Sequence, residues 1–433
     1  MRKLLAVALL ALALPAAASA HATLTKTEPA FGKRIERSPS LVRLHFDQSV
    51  DVLPTAIRVY DARGRLLSGQ TLASADKRTI DAPVSHLPRG GYTVRWRAVS
   101  ADGHVVSGVF TFGVRMRAPP VTGAFGAGGP TTSEHLVRWL YFVALALLAG
   151  GLGFRLLVVR GPLGEAAQRR FYLMIGAGVV GALEVGILAF LLRAEDALQL
   201  PFVDFLYGDL SPLAKTRFGY AFVAMTLGYA LVAAILFLAW LSDREWLLWP
   251  AFLLALGFAS GLSLSGHSAA DAGSSSLSEL ADWLHLSAAA LWVGGLVQLA
   301  FVIWPLEPGL RRQAFLRFSR LATVLIVVLL GAGTYLSILR LPHLADLWTQ
   351  GYGRVLLVKL GLVSLALAWG AAHHFLVRPK LERGAPLFAG LPRSLMGESA
   401  VGMAILLAAA VLVDSKPPPQ PLKQPLNAAS QQR

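Results

Sequence analysis

YTVRWRAVSADGHVVSGVFTFGV, residues 92–114, decides the architecture of the N-terminal part of the chain. Apolar and polar side chains alternate along 92–99 and again along 109–114, with ADG between them, and a period of two marks a half-buried strand. The alternation places Val94, Trp96 and Ala98 on one face, opposite Arg95 and Arg97. Working outward, LVRLHF (41–46) and AIRVYD (56–61) repeat the pattern, and ARGR and LPRGG supply turns. Short strands at this spacing over roughly 95 residues predict an all-β sandwich or small barrel with a modest core.

The composition changes after residue 117. Residues 118–133, APPVTGAFGAGGPTTS, are rich in Pro, Gly and small polar residues and read as a flexible linker with a reach of about 50 Å when extended. Apolar runs follow near 135–159, 171–193, 217–240, 246–266, 279–304, 318–340, 354–377 and 396–414, each close to the roughly 20 residues that span hydrocarbon. Residues 134–414 are therefore read as an all-α polytopic membrane domain of about eight transmembrane helices. The 433-residue chain is 55% hydrophobic with a mean hydropathy of +0.56, too oily for a soluble protein of this length.

A net charge of +15 would suggest nucleic acid in a soluble chain, but here the basic residues lie in short loops between apolar runs, which is a topology signal. Nucleic acid is excluded as a partner and the lipid bilayer is expected as one. Arg155, Arg160, Arg169 and Arg170 fall in one loop region, Arg311, Arg312, Arg317 and Arg320 in another, and Arg378, Lys380, Arg383 and Arg393 in a third. The intervening 194–212 loop carries Glu195, Asp196, Asp204 and Asp209, and 267–278 has neither Lys nor Arg. The positive-inside bias then places the β domain and the C-terminal tail outside an inner (plasma) membrane. That tail, residues 415–433, SKPPPQPLKQPLNAASQQR, reads as disordered.

Residues 1–20 have the form of a secretory signal peptide: Arg2 and Lys3, an apolar run from Leu4 to Leu14, Pro15, then AAASA. Cleavage after Ala20 would make His21 the first residue. A peptidase that needs only small residues would tolerate any residue there, so His21 alone is as easily incidental.

The chain contains ten histidines and no cysteine, so a bound metal must use nitrogen, carboxylate or thioether ligands. Asp102 and His104 stand two apart on a strand or its end, so both can project to one side. A freed His21 offers its α-amine and ring Nδ1, and with a second imidazole and a carboxylate the set suits tetragonal Cu(II). His45 and His86 have no ligand-like neighbours at useful spacing and are expected to be structural or exposed. A terminal-histidine copper can also activate oxygen, but Asp102 would fill the position oxygen needs, which favours storage or delivery over catalysis. The chain is accordingly not expected to be an enzyme.

Within the apolar runs, His267 follows GLSLSG, and Asp282 and His285 share one helix face at i, i+3, where a carboxylate can orient an imidazole or share an ion. Spacing alone leaves metal transfer and helix packing about equal for this set. His373 and His374 are adjacent, so they diverge by about 100° on a helix and cannot easily hold one ion; a structural role is expected. Glu184, Met396, Glu398, Met403 and Lys359 are weaker intramembrane candidates, thioethers being the ligands that suit Cu(I). Histidines facing one another across helices also hold b-type haem, which keeps an electron-transfer or cupric-reductase reading open. No nucleotide-binding loop is present to supply ATP energy.

The mature-terminal His21, the SADGH run (100–104) and the GxFxF strand after it resemble the CopC family of periplasmic copper-binding proteins over residues 21–117. The resemblance implies an Ig-like or cupredoxin-like Greek-key barrel with Cu(II) held by His21, Asp102 and His104. Some members also have a methionine-rich Cu(I) site; with Met116 alone here, that site is expected to be missing. GLSLSGH (261–267), DWLHLSAAALWVGGL (282–296) and YGRVLLVKLGLV (352–363) resemble the CopD family of copper-resistance membrane proteins, over roughly 135–414. Together they imply a copper protein that binds the ion outside the membrane and transports it, with import preferred, and with periplasmic copper carriers as further partners. His267, Asp282 and His285 would form its membrane transfer site. Sequestration without transport is the other reading.

Overall fold

The computed structural model describes residues 24–52, 55–100, 105–119, 132–198, 217–265, 276–341, 343–384, 386–387 and 390–415. The expected signal peptide, most of the linker and the tail from residue 416 lie outside these residues. The chain divides into two compact units, one β and one helical.

The β unit has nine strands: β1 (Leu24–Glu28), β2 (Arg34–Ile35), β3 (Leu41–Phe46), β4 (Val50–Asp51), β5 (Ile57–Tyr60), β6 (Leu72–Ala73), β7 (Thr79–Pro83), β8 (Gly90–Ser100) and β9 (Val105–Val114). One sheet has the order β1-β3-β7-β6; the other has β2-β9-β8-β4, with β5 also pairing β8. Neighbours out of chain order are the mark of Greek-key connection. The alternation in β8 holds: Val94, Trp96 and Ala98 are buried between the sheets with Val42, Leu44, Phe110 and Phe112. Burying each large side chain of this core contributes about 1.5–3 kcal/mol. The Phe46 and Trp96 rings meet edge-on at 5.5 Å. Trp96 lies over its cross-strand partner Gly108, where a Cβ would come within 2.7 Å of the indole. The Tyr92 hydroxyl donates to the Pro88 carbonyl at 2.8 Å, which pins the entry to β8.

The helical unit contains α1 (His135–Val158), α2 (Glu165–Leu198), α3 (Arg217–Ser242), α4 (Leu248–Ser265), α5 (Leu277–Leu306), α6 (Arg311–Arg340), α7 (Gly351–Glu382) and α8 (Leu391–Asp414). Among the described residues seven helices are long and apolar enough to cross a bilayer, and the run around α4 falls short. Hydrocarbon cannot satisfy exposed backbone, so spans of this kind must bond internally, and small residues let them approach. Gly150 on α1 meets Gly294 on α5 so closely that a Cβ on Gly150 would lie 2.7 Å from the Gly294 Cα. On the next residue, a Cβ at Gly295 would strike the Phe318 ring of α6 at 2.5 Å. The WVGGL stretch is therefore a packing hub.

The arginine-rich loops gather at one end of the bundle. Arg155, buried at the end of α1, pairs with Glu245 before α4. Arg317 donates to the Val158 carbonyl at 2.8 Å, Arg170 to the Phe301 carbonyl at 3.0 Å, and Arg312 to the Leu381 carbonyl. Arg378 pairs with Glu382 at 3.0 Å. These contacts join the ends of α1, α5 and α7 to the starts of α2, α4 and α6, so successive helices alternate in direction.

Candidate metal centre

The β8–β9 ladder stays in register out to Val99 opposite Val105, so residues 101–104 form the connection between the two longest strands. Leu24, the first residue of β1, pairs with Phe46, and Val50 pairs with Ser100. Only residues 47–49 separate Phe46 from Val50. The start of β1 and the tip of β8–β9 therefore lie at the same end of the sandwich, although they belong to different sheets. Three residues reach about 10 Å, which matches the spacing of about 10 Å between packed sheets. His21, Asp102 and His104 themselves lie outside the described residues.

The two other histidines of the unit behave as the sequence suggests. His45 Nδ1 is 3.2 Å from the Thr79 hydroxyl and its Nε2 is 3.7 Å from Glu28, while His86 is exposed. Glu28 is held below the ordinary carboxylate range, chiefly by its hydrogen bond from Lys26 at 2.5 Å. Its charge is thereby committed to the sheet surface.

In the helical unit, His285 turns toward α6. Its Nδ1 lies 3.1 Å from the Leu329 carbonyl, and its ring fills the space beside Gly333, where a Cβ would come within 2.9 Å. A carbonyl can only accept, so Nδ1 carries the proton and Nε2 keeps a free lone pair, the tautomer a metal-binding imidazole uses. Lys359 and Arg340 lie within electrostatic range of this ring, and Asp282 within range of Lys359. Asp282 is thus placed to offset a lysine, while the hydrogen-bond partner of the His285 ring is the Leu329 carbonyl. His267 lies outside the described residues. Among the described residues no three of His, Asp or Glu come together as a metal site, so both ligand sets read from the sequence need at least one residue beyond them.

His373 and His374 diverge as adjacent helical residues must. His374 faces Thr323 at 3.4 Å and Arg378 at 3.4 Å. His373 instead meets Glu398 of α8, Nδ1 to Oε2 at 2.9 Å, and both side chains are buried. Sequence reading names each residue singly and misses the pair, because helix contacts between α7 and α8 leave no spacing signal. The three α5–α7 histidines turn to three different sets of partners, so none of them faces another in the manner a bis-histidine haem requires.

Comparison with known proteins accords with the two units. Residues 24–115 match the CopC domain, 132–277 the copper resistance protein D-like N-terminal domain, and 312–412 the copper resistance protein D family. The DWLHLSAAALWVGGL stretch with His285 falls between the last two matches. Copper transport protein CutJ of Bacillus subtilis (strain 168) is 28% identical over 95% of this chain and 77% of its own length. Copper resistance protein C of Pseudomonas syringae pv. tomato is 31% identical over 23% of this chain and 85% of its own. Copper resistance protein D of the same organism is 33% identical over 38% of this chain, which spans just over half, 56%, of that protein. With its β unit matched nearly end to end and both membrane modules following in order, the chain belongs to the copper-resistance family that joins a CopC domain to a CopD membrane domain.

Proposed function

We propose that the chain binds Cu(II) outside the inner membrane through His21, Asp102 and His104 and passes copper inward through the helical unit. The observation that carries this reading is the strand order, which brings the start of β1 and the β8–β9 tip to one end of the sandwich. Removal of residues 1–20 would supply the free amine that completes the chelate. Asp102 in the fourth equatorial position favours holding and handing over the ion, so the chain acts as a carrier and not as an oxidase. His285, with Nε2 unused, is the receiving group in the membrane, together with His267 and Asp282, and Cu(I) is the form that Met403 would suit further along. Periplasmic copper carriers are the expected donors. Inward movement is preferred because the capture domain would stand on the outer side, with the arginine end of the bundle inside.

Cells with and without the gene, given isotopic copper, test the direction. Faster accumulation in the cytosol with the gene supports import. Lower cytosolic copper on expression contradicts it and favours sequestration. The visible spectrum of the purified chain tests the haem alternative, which predicts a Soret band that shifts on reduction.

A further inference from the structure

Gln298 is 1% exposed on the face of α5 that packs against α1, and among the described residues neither its amide oxygen nor its amide nitrogen has a hydrogen-bond partner. A glutamine amide carries two donors and an acceptor, and leaving such a group dry in an apolar interior is expensive enough that folded proteins seldom do so. The residues one turn away on its own helix, Gly294, Gly295, Phe301 and Val302, have no polar side chain to offer. Across the interface the amide lies over Gly151 of α1: a Cβ there would come within 2.9 Å of the amide nitrogen and 2.7 Å of an Ile175 methyl of α2. The absence of a side chain at Gly151 is what leaves a polar group room where three helices meet.

Two π turns come together at this level. One occupies Ala146–Gly150 and ends on Gly151; the other occupies Leu299–Ile303 and begins immediately after Gln298. A π turn moves its hydrogen bonds from the fourth residue to the fifth and leaves a backbone carbonyl short of a donor. In a membrane span, groups freed in this way are satisfied by neighbouring helices or by ordered water. The charged residues nearest in sequence to Gly151, Ile175 and Gln298 are engaged elsewhere: Arg155 with Glu245, Arg170 with the Phe301 carbonyl, and Glu307 with the Gly164 N–H. Two of the three are basic and disfavour a cation beside the amide, while the amide oxygen disfavours an anion. Ser287 also lacks a partner, but it stands about 16 Å away along α5, and a serine can turn its hydroxyl onto the carbonyl four residues back.

We propose that the Gln298 amide holds a buried water molecule at the junction of α1, α2 and α5. The water bonds the amide and a carbonyl freed by the π turns, so that one small neutral ligand, able both to donate and to accept, satisfies side chain and backbone together. Oxygens of the carbonyl type are not the ligands that copper selects. The site also lies about 140° round α5 from His285, whose ring faces α6. The water is therefore a fixed part of the packed bundle that fastens α1 to α5, and not a stop on a copper route.

The test uses the full chain in lipid nanodiscs. Val297–Gln298 is the one Val–Gln step in the sequence, so isotopic labelling of valine carbonyls together with whole glutamine residues assigns the Gln298 backbone by NMR and, through it, the side-chain amide. Cross-relaxation from that amide should reveal a water held for longer than the particle takes to tumble. An amide with no water neighbour, or with water in fast exchange alone, overturns the proposal. Thermal unfolding in the same particles supplies a second readout. Gln298→Met keeps the length of the side chain and removes the amide, so the bridging water loses a partner and the midpoint should fall by about 2–4 °C. An unchanged or raised midpoint means that the amide was unpaired and its removal a relief, which also overturns the proposal. The cross-relaxation measurement is made on the native protein and does not depend on the variant folding.

Discussion

The β8–β9 hairpin and the α7–α8 pair assemble polar groups in opposite ways. In the sequence Asp102 and His104 stand two residues apart, in the connection that follows β8, whose ladder with β9 stays in register out to Val99 opposite Val105. The helical pair joins His373 to Glu398, separated by a full loop and buried on both sides. Local chain geometry supplies the first arrangement, so its residues read as a motif. Tertiary packing supplies the second, so its residues read as two isolated candidates. The helical pair is closed off from solvent, with His373 and Glu398 both buried.

The largest expected effect sharpens the hairpin side. His21→Ala, Asp102→Ala and His104→Ala should each weaken Cu(II) binding by about 100-fold or more, since outer-shell changes alone cost 10–100-fold. One residue added before His21 should be nearly as damaging, and His45→Ala should leave affinity unchanged in a competition titration. Retained affinity in the extended chain would break the comparison at its root.

The next effect sharpens the helical side. Glu398→Ala strands His373 and should destabilise the membrane unit by about 3–5 kcal/mol in a reversible unfolding measurement, the usual cost of removing one partner of a buried pair. A loss under about 1 kcal/mol, the range of exposed pairs, would mean the site is wet and unlike the one described. Gly108→Leu should cost about 1–3 kcal/mol by pushing Trp96 off its position. Chemical denaturation read by tryptophan fluorescence checks this, and an unchanged midpoint would detach the core of the sandwich from the hairpin.

The smallest effect is on pH. Asp61 is held below the ordinary aspartate range mainly by the Arg65 backbone N–H, and Asp76 mainly by the Ser74 hydroxyl. A depressed folded-state value means these carboxylates contribute stability above the unfolded aspartate value of about 3.9, and that contribution is lost as pH falls through their lower folded values. Acid unfolding of the β unit should therefore occur at slightly higher pH in Asp61→Asn,Asp76→Asn than in the native chain if the turns they fasten matter, and at the same pH if they do not.

Much of the fold was legible because periodicity is local. Strands β3, β5, β8 and β9 carry alternation strong enough to read, whereas β1, as LTKTE, and the two-residue strands β2, β4 and β6 are held by their neighbours and have no pattern of their own. The apolar runs announce the bundle, yet the role of WVGGL becomes clear only when Gly294 is seen against Gly150 and Gly295 against Phe318. Similarly, Asp282 reads as a partner for His285 from i, i+3 spacing, while its proximity to Lys359 comes from a different helix that spacing cannot reveal.

The most direct test of the account is paramagnetic resonance of Cu(II) bound to the processed full chain, with the first residue fixed by mass spectrometry. The account predicts a chain beginning at His21 that binds one equivalent of copper in a tetragonal, nitrogen-rich spectrum, lost in Asp102→Ala and His104→Ala. A different first residue, or a spectrum indifferent to those substitutions, would contradict it.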